Sequence, residues 1–393
     1  MLLTVSKRVE FSASRRLFSA RRSPEENVCL YGAESAAEYG TGRNYVAYFI
    51  FAGAPDPITG MLINISEIKA RAGSVINERY DHRFLNYDNS AFAEEVPTAE
   101  NIARHLLSEV APLFSGESAR LVAVHLREEP GRSATAYADD TIESHYWFDF
   151  SAARQTMSPH LSVDENQQLF GGATREHGHH YRARLTFSKA PARAEVDGVI
   201  RSWRTMFDHR HLNREVKVLR GQPITTETLT RLILQQSALS PVRVRLHERD
   251  DFFAEATSDG GMFLGLRESF SAAHRLHVSS FSIERNADLF GKCNNPRGHG
   301  HRYVAETTIA GEYDARSGTV ANLEEFRGAV SHALEPWRDK HLDRETIEFQ
   351  DVPSTGENIV RVLWPKLDSA LGETVTRLRL WETANNRFTL RRT

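Results

Sequence analysis

The sequence predicts an α+β protein built from three tandem copies of one ββααββ unit, and three repeated motifs carry that expectation. FSAAHRL at 270 recurs as FSASRRL at 11 and as FSAARQT at 150. Asn286-x-x-Leu289-Phe290-Gly291 recurs as Asn27-x-x-Leu30-Tyr31-Gly32 and as Asn166-x-x-Leu169-Phe170-Gly171. Gly298-His-Gly-His-Arg-Tyr303 has counterparts in Gly40-Thr-Gly-Arg-Asn-Tyr45 and Glu176-His-Gly-His-His-Tyr181. These repeats divide the chain into units at 1–139, 140–260 and 261–393.

Each unit opens with two strand-like runs. Residues 270–276 place Phe270, Ala272 and His274 on one face, and in 45–52 and 303–310 aromatic and branched residues alternate with polar ones. A helix follows a glycine, at 66–76 and 323–334, where apolar residues recur at helical spacing. A second helix opens at Pro97-Thr98-Ala99-Glu100, with counterparts at Pro223 and Pro353. Two strands close the unit, at 121–126, 242–246 and 375–380, and the junctions fall in the polar or glycine-bearing stretches 138–143 and 257–261.

Composition excludes several classes. The 393 residues are 40% hydrophobic and 26% charged, ordinary for a globular chain with ample core. A net charge of -3 gives no support for a nucleic-acid partner, and runs such as Arg15-Arg16 and Arg21-Arg22 read as solvated faces. No apolar run is long enough to span a membrane. Two cysteines make no disulfide framework, and the opening MLLTVSKRVEF reads as a strand, so the default expectation is a cytoplasmic protein.

The chemistry concentrates in 270–301. If 270–276 is a strand, His274 faces His299 and His301 on the next one, so three imidazoles converge. A lone His-x-His is usually a satisfied strand pair, but three imidazoles with a loop cysteine between them suit Zn2+ with one position open. Cys293, in a turn-rich loop with Asn294, Asn295, Pro296 and Gly298, is free to act as base or nucleophile.

The order FSAAHRL, FGKCNNPRGHGHRY, SGTVANLEEF, PSTGEN, WETANN, from Phe270 to Phe388, resembles the 6-pyruvoyltetrahydropterin synthase family, which includes the 6-carboxytetrahydropterin synthases. The long cysteine loop and the Glu382-Thr-Ala-Asn-Asn ending are similar to the pyruvoyl branch. The resemblance implies the tunnelling fold, in which separate subunits form trimers around a barrel. Three units in one chain then imply an intrachain pseudo-trimeric antiparallel β-barrel with helices outside, free of unpaired edges. It further implies a homodimer of pseudo-trimers, a small-molecule pterin substrate and Zn2+ as cofactor.

The copies differ where the resemblance places function. His274, Cys293, His299 and His301 correspond to Arg15, Glu34, Thr41 and Arg43 in the first copy and to Arg154, Ala173, His177 and His179 in the second. Guanidiniums cannot bind a metal, so one zinc site is expected, in the third copy. The family's Asp-His pair appears as Asp81-His82 and Asp208-His209, while the third copy has Arg338-Asp339, with His341 nearby as a possible substitute. Because the pair and the cysteine come from neighbouring subunits in the family, the first or second copy would lend its pair to the third. A glutamate near the end of each copy, Glu128, Glu248 or Glu382, corresponds to the carboxylate that binds pterin nitrogens. Thr98, Thr225, Thr226, Ser354 and Thr355 either contact the ring or cap the second helix.

The function so implied is a zinc-dependent lyase of tetrahydrobiopterin biosynthesis that eliminates triphosphate from 7,8-dihydroneopterin triphosphate, with Cys293 and a lent His moving protons. Rivals are a 6-carboxytetrahydropterin synthase, an aldolase-like pterin enzyme, a non-catalytic pterin or purine binder, and a purely structural ring.

Overall fold

The computed structural model describes residues 1–128 and 131–393. Twelve strands form one closed antiparallel barrel. The first unit supplies β1 (Leu2–Arg15), β2 (Thr41–Ala52), β3 (Arg120–Glu128) and β4 (Arg132–Tyr137). The second supplies β5 (Ile142–Arg154), β6 (His177–Phe187), β7 (Arg243–Arg249) and β8 (Phe252–Thr257). The third supplies β9 (Met262–His274), β10 (His299–Ala310), β11 (Val375–Thr383) and β12 (Asn386–Arg391). Every strand pairs with the next in sequence, across both unit junctions, and β12 returns to β1 with Leu2 opposite Arg391 and Lys7 opposite Asn386.

Period-two alternation gives the barrel two faces. Phe11, Tyr45, Ala47 and Phe49 of the first unit turn outward and are buried under helices, as are Phe150 and Tyr181 in the second and Phe270 and Tyr303 in the third. The covering helices are Ile65–Arg79, Ala99–Val110, Arg193–Phe207, Thr226–Gln236, Leu323–Leu334 and Gly356–Ala370. Ile68, Ala72 and Ile76 show the packing rule: four-residue spacing keeps them on one buried stripe. Burying each large apolar side chain contributes about 1.5–3 kcal/mol. Among the described residues no helix is long and apolar enough to cross a membrane.

The expected ββααββ order is present in each unit, with longer elements. The expected strand 270–276 stops at His274, because the Arg275 N–H goes to Asp343 and the Leu276 N–H to the Cys293 carbonyl. A short helix missed by periodicity precedes the histidine strand in each unit, Pro24–Tyr31, Val163–Phe170 and Ile283–Phe290. The repeated Asn27, Asn166 and Asn286 tie these helices to the preceding loop by hydrogen bonds, which accounts for that motif. Arg15, read as a solvated residue, is fully buried, while Arg21 and Arg22 are exposed as expected.

Gly265 on β9 faces Phe253 on β8 across the seam of units two and three, and a Cβ there would lie 1.9 Å from the ring. Gly265→Ala is expected to displace the buried Phe253 and cost about 1–3 kcal/mol, measured by chemical unfolding.

Candidate functional site

The ladder brings the three histidines together. His274 is paired with His299 and Ala272 with His301, so all three rings leave the same outer face. Their ligand atoms lie within 4.8 Å of one another, and His274 Nε2 is 3.1 Å from His299 Nε2. Nitrogens bound at 2.0–2.1 Å in a tetrahedron around one zinc lie roughly 3.3 Å apart, so the donor set fits such an ion. His274 Nδ1 is 3.1 Å from the Ser354 carbonyl, a contact that frees Nε2 for a metal. Burial, with the neighbouring imidazoles adding to it, pushes His274 down to about 4 and keeps it neutral at pH 7. His299 Nδ1 and His301 Nε2 are buried without a hydrogen-bond partner, as expected of a site built for a ligand.

Glu382 completes the cluster, with Oε1 3.9 Å from both His274 Nε2 and His301 Nε2. Trp381 pairs with Arg387 and Thr383 with Asn386, so Glu382 is the extra residue of a bulge that aims its carboxylate at the histidines. Glu248 is the matching extra residue of the second unit, between His247, which pairs with Phe253, and Arg249, which pairs with Phe252.

The same register makes the other two units legible. Arg15 pairs with Thr41 and Ala13 with Arg43, while Arg154 pairs with His177 and Ala152 with His179, so Arg15 and Arg154 stand where His274 stands. Arg15 is ion-paired with Glu128, and Arg43 lies 3.6 Å from Glu128 and pairs with Glu34. Arg154 holds Glu248 at 2.6 Å, and His179 is 3.1 Å from the same carboxylate. A guanidinium thus occupies the position of His274 in both units and pairs with the glutamate equivalent to Glu382, which in the third unit faces imidazoles and accepts from Asn386 at 3.0 Å.

Cys293 lies in a tight turn, Gly291–Asn294, and is half-buried. Burial, then the charge of Glu382, pushes its thiol up, so in the protein alone it is a thiol rather than a thiolate. Asp81 accepts from the Ser12 N–H at 2.9 Å and sits 2.9 Å from His82 Nδ1, and Asp208 accepts from the Ser151 N–H at 2.8 Å. His82 and His209 share a left-handed backbone, φ 55°, and their side chains are 84% and 82% exposed. The contacts of each pair lie in its own unit, whereas the charges acting on His299 belong to His301, Glu382, Asp343 and His341 of the third unit.

His341 owes its place to a two-residue strand, Lys340–His341, that runs parallel to Ala272–Ala273. A Cβ on Gly298, which has φ 79°, would fall 2.6 Å from His341 Nε2, so only glycine admits the ring beside His299. Both His341 nitrogens are buried without a hydrogen bond, and Nδ1 is 3.8 Å from Asp343.

The first unit reaches into this region. The Leu62 N–H donates to Glu357 Oε1 at 2.9 Å, and Thr355 Oγ1 donates to the Gly60 carbonyl at 3.3 Å. Thr98, Thr225 and Thr355 all cap their helices, accepting from Asn101, Thr228 and Asn358. Pro57 and Ile58 join His341 and Asp343 around a pocket of about 430 Å³. Sequence reasoning missed Glu357, which is buried and pushed up to about 7 by desolvation, as is Glu227. The signal was available: a glutamate follows the capping threonine by two residues in all three copies, as Glu100, Glu227 and Glu357.

The fold and site define a class: a covalently joined trimer of four-stranded units with, among the described residues, one three-histidine cluster where three equivalent positions exist. The chain belongs to the 6-pyruvoyl tetrahydropterin synthase family, whose description matches three times, over residues 4–139, 143–259 and 264–393. It is 43% identical over 122 residues to human 6-pyruvoyl tetrahydrobiopterin synthase, covering 30% of this chain and 84% of that protein. It is 27% identical over 145 residues to 6-carboxy-5,6,7,8-tetrahydropterin synthase of Rickettsia felis, covering 33% and 96%. The solved 6-pyruvoyl tetrahydropterin synthase of Caenorhabditis elegans aligns at 35% identity with a TM-score of 0.33, covering 33% of this chain and 95% of that one.

Two predictions follow from the buried charges. Arg15→Met leaves Glu128 buried with only the more distant Arg43 and is expected to cost about 3–5 kcal/mol, most of it recovered in Arg15→Met/Glu128→Leu, as read by urea unfolding. Glu357 is raised above the ordinary 4.5, so its contribution to stability is full below about pH 4.5 and lost as pH rises through 7. Glu357→Gln is expected to remove on the order of 3 kcal/mol from the pH dependence between those limits, measured by unfolding at a series of pH values.

Proposed function

We propose that the chain is a zinc-dependent pterin synthase that converts 7,8-dihydroneopterin triphosphate to a 6-pyruvoyl tetrahydropterin with loss of triphosphate, at one site on the seam of units three and one. The observation that carries this reading is the three-imidazole cluster, one among the described residues, beside Glu382, the bulge carboxylate whose equivalents are elsewhere paired with arginine. His274, His299 and His301 would hold Zn2+, which when bound supplies Lewis acidity toward side-chain oxygens of the substrate.

This chain's own groups do the rest. Glu382 accepts hydrogen bonds from the pterin ring, and the fully buried Glu357 lies close enough to feel its charge and offers a second acceptor. Cys293 moves a proton on the pterin side chain. His341, beside His299 with Asp343 behind it, serves as the proton partner that Arg338-Asp339 no longer provides. A pair borrowed from Asp81-His82 or Asp208-His209 is the other candidate for that role, and their exposed imidazoles suit contact with a second copy of the chain in a homodimer of pseudo-trimers.

The purified chain should contain about one zinc, rising toward two in Arg154→His, because the second unit already has His177 and His179. Cys293→Ala should keep metal and pterin while turnover falls about 10²- to 10⁴-fold, and His341→Ala should do likewise. A comparable loss in His82→Ala or His209→Ala, with His341→Ala active, would assign the proton partner to a borrowed pair. Acetaldehyde among the products would identify the 6-carboxy reaction instead, and tight pterin binding without product would mark a binding protein.

A further inference from the structure

The inner face of the barrel carries a second concentration of charge that the proposed reaction does not use. Alternation along β7 and β11 points Arg243, Arg245, Arg377 and Arg379 into the lumen, and Arg184, Arg387 and Arg391 complete the basic wall of a cavity of about 480 Å³. Three carboxylates answer them. Glu143 accepts from Arg243 at 2.7 and 2.8 Å, and Glu255 accepts from Arg245 at 2.7 Å and Arg184 at 3.5 Å. Glu306 is shared by Arg379 at 3.1 Å, Arg377 at 3.6 Å and Arg267 at 2.8 Å. The seven guanidiniums of the wall, with Arg267 beside them, therefore share three carboxylates. Asp139, at the mouth, belongs to an exposed turn and is bonded to Thr141.

Two of the arginines, the half-buried Arg387 and the more exposed Arg391, lack an ion pair. Among the described residues neither has a carboxylate within ion-pair distance: Arg387 reaches Ser6 Oγ at 3.4 Å and lies over the Tyr48 ring, and Glu306 and Glu255 act on Arg387 and Arg391 only from further away. The Nε atoms of Arg184, Arg243, Arg377, Arg379 and Arg387 are buried without an acceptor. Burial and neighbouring arginines push Arg184 down to about 9, which still leaves it charged at pH 7. The same causes push His125 down to about 3, so the lumen histidines, chained through Thr135 and Thr186, add no charge. Crowded guanidiniums at short range repel one another unless an anion meets them.

We propose that the lumen is a binding site for short phosphate chains, of the class of inorganic di- or triphosphate. Forked guanidinium donors match phosphate oxygens bidentately, a linear polyanion answers an excess spread along the strands β6, β7, β11 and β12, and the closed barrel excludes nucleic acid and protein. The site is separate from the candidate active site, because Arg379 on β11 faces inward while Glu382 faces the histidines. The inference does not depend on the reaction the chain performs.

The test is calorimetry and thermal melting of the full chain with inorganic phosphate, diphosphate and triphosphate at fixed ionic strength. Affinity should rise with chain length, and triphosphate should raise the melting temperature by several degrees. Arg387→Gln/Arg391→Gln should weaken triphosphate at least tenfold while raising the melting temperature of the ligand-free protein, since two of the mutually repelling charges are gone. Glu382→Gln should leave triphosphate affinity unchanged. Absence of any triphosphate response in the unaltered chain overturns the proposal without reference to the variants. So does binding that survives the double arginine variant or is lost with Glu382→Gln.

Discussion

A sheet closed on itself is the constraint from which the rest of this structure follows. Each of the twelve strands has a partner on both sides, the last pairing supplied by β12 with β1. Backbone donors and acceptors are thereby satisfied without an edge. Closure also forces every strand to present one row of side chains outward and one inward. The outer rows are apolar and take the helices, except near the ends of β1, β5 and β9, where the repeated motifs place polar groups instead. The inner rows cannot reach a helix and carry arginine, glutamate, histidine and threonine together with aromatic rings such as Tyr48, Trp147, Phe253 and Trp381 that the guanidiniums overlie.

On the outer face, three equivalent positions solve one electrostatic problem in two ways. A bulge or strand-end glutamate stands at each, buried as Glu128 and Glu248 and half-buried as Glu382, and it favours positive charge close by. Arg15 and Arg154 supply it as guanidinium, permanently and with no capacity for chemistry beyond the ion pair. The third unit has three imidazoles in that place, so Glu382 is free of any guanidinium and the cluster has the donor set of a metal site. The difference between a structural ion pair and a candidate catalytic centre thus begins with arginine or histidine at the end of the first strand of each unit and extends to the positions of Cys293, His299 and His301.

Much of this was legible in the sequence because repetition supplied an internal comparison. The motifs containing His274, His299 and His301 fixed which residues correspond, and alternation along two strands sufficed to put them on one face. The expected ββααββ order, the barrel and the three-histidine cluster therefore followed from local pattern and resemblance. What local pattern could not give was distance in the third dimension. The burial of Arg15 depends on Glu128, more than a hundred residues away, and a dipeptide of arginines looks solvated whatever lies opposite. The position of His341 depends on a two-residue strand and on the space left by Gly298, neither of which has a periodic signature. Asp81-His82 and Asp208-His209 were visible as motifs, but their anchoring to Ser12 and Ser151 and their exposure were not.

Linking the three units covalently has a consequence for how such a ring tolerates change. In an assembly of identical subunits, any replacement is imposed on all three positions at once, so a side chain harmful at one is harmful at all. Here each position is specified separately. Arginine can seal two corners while the third keeps its imidazoles, and the lumen can gather its guanidiniums along β6, β7, β11 and β12 and leave β3 and β4 with His125 and Thr135. Symmetry in the backbone is retained, and individuality is confined to the side chains.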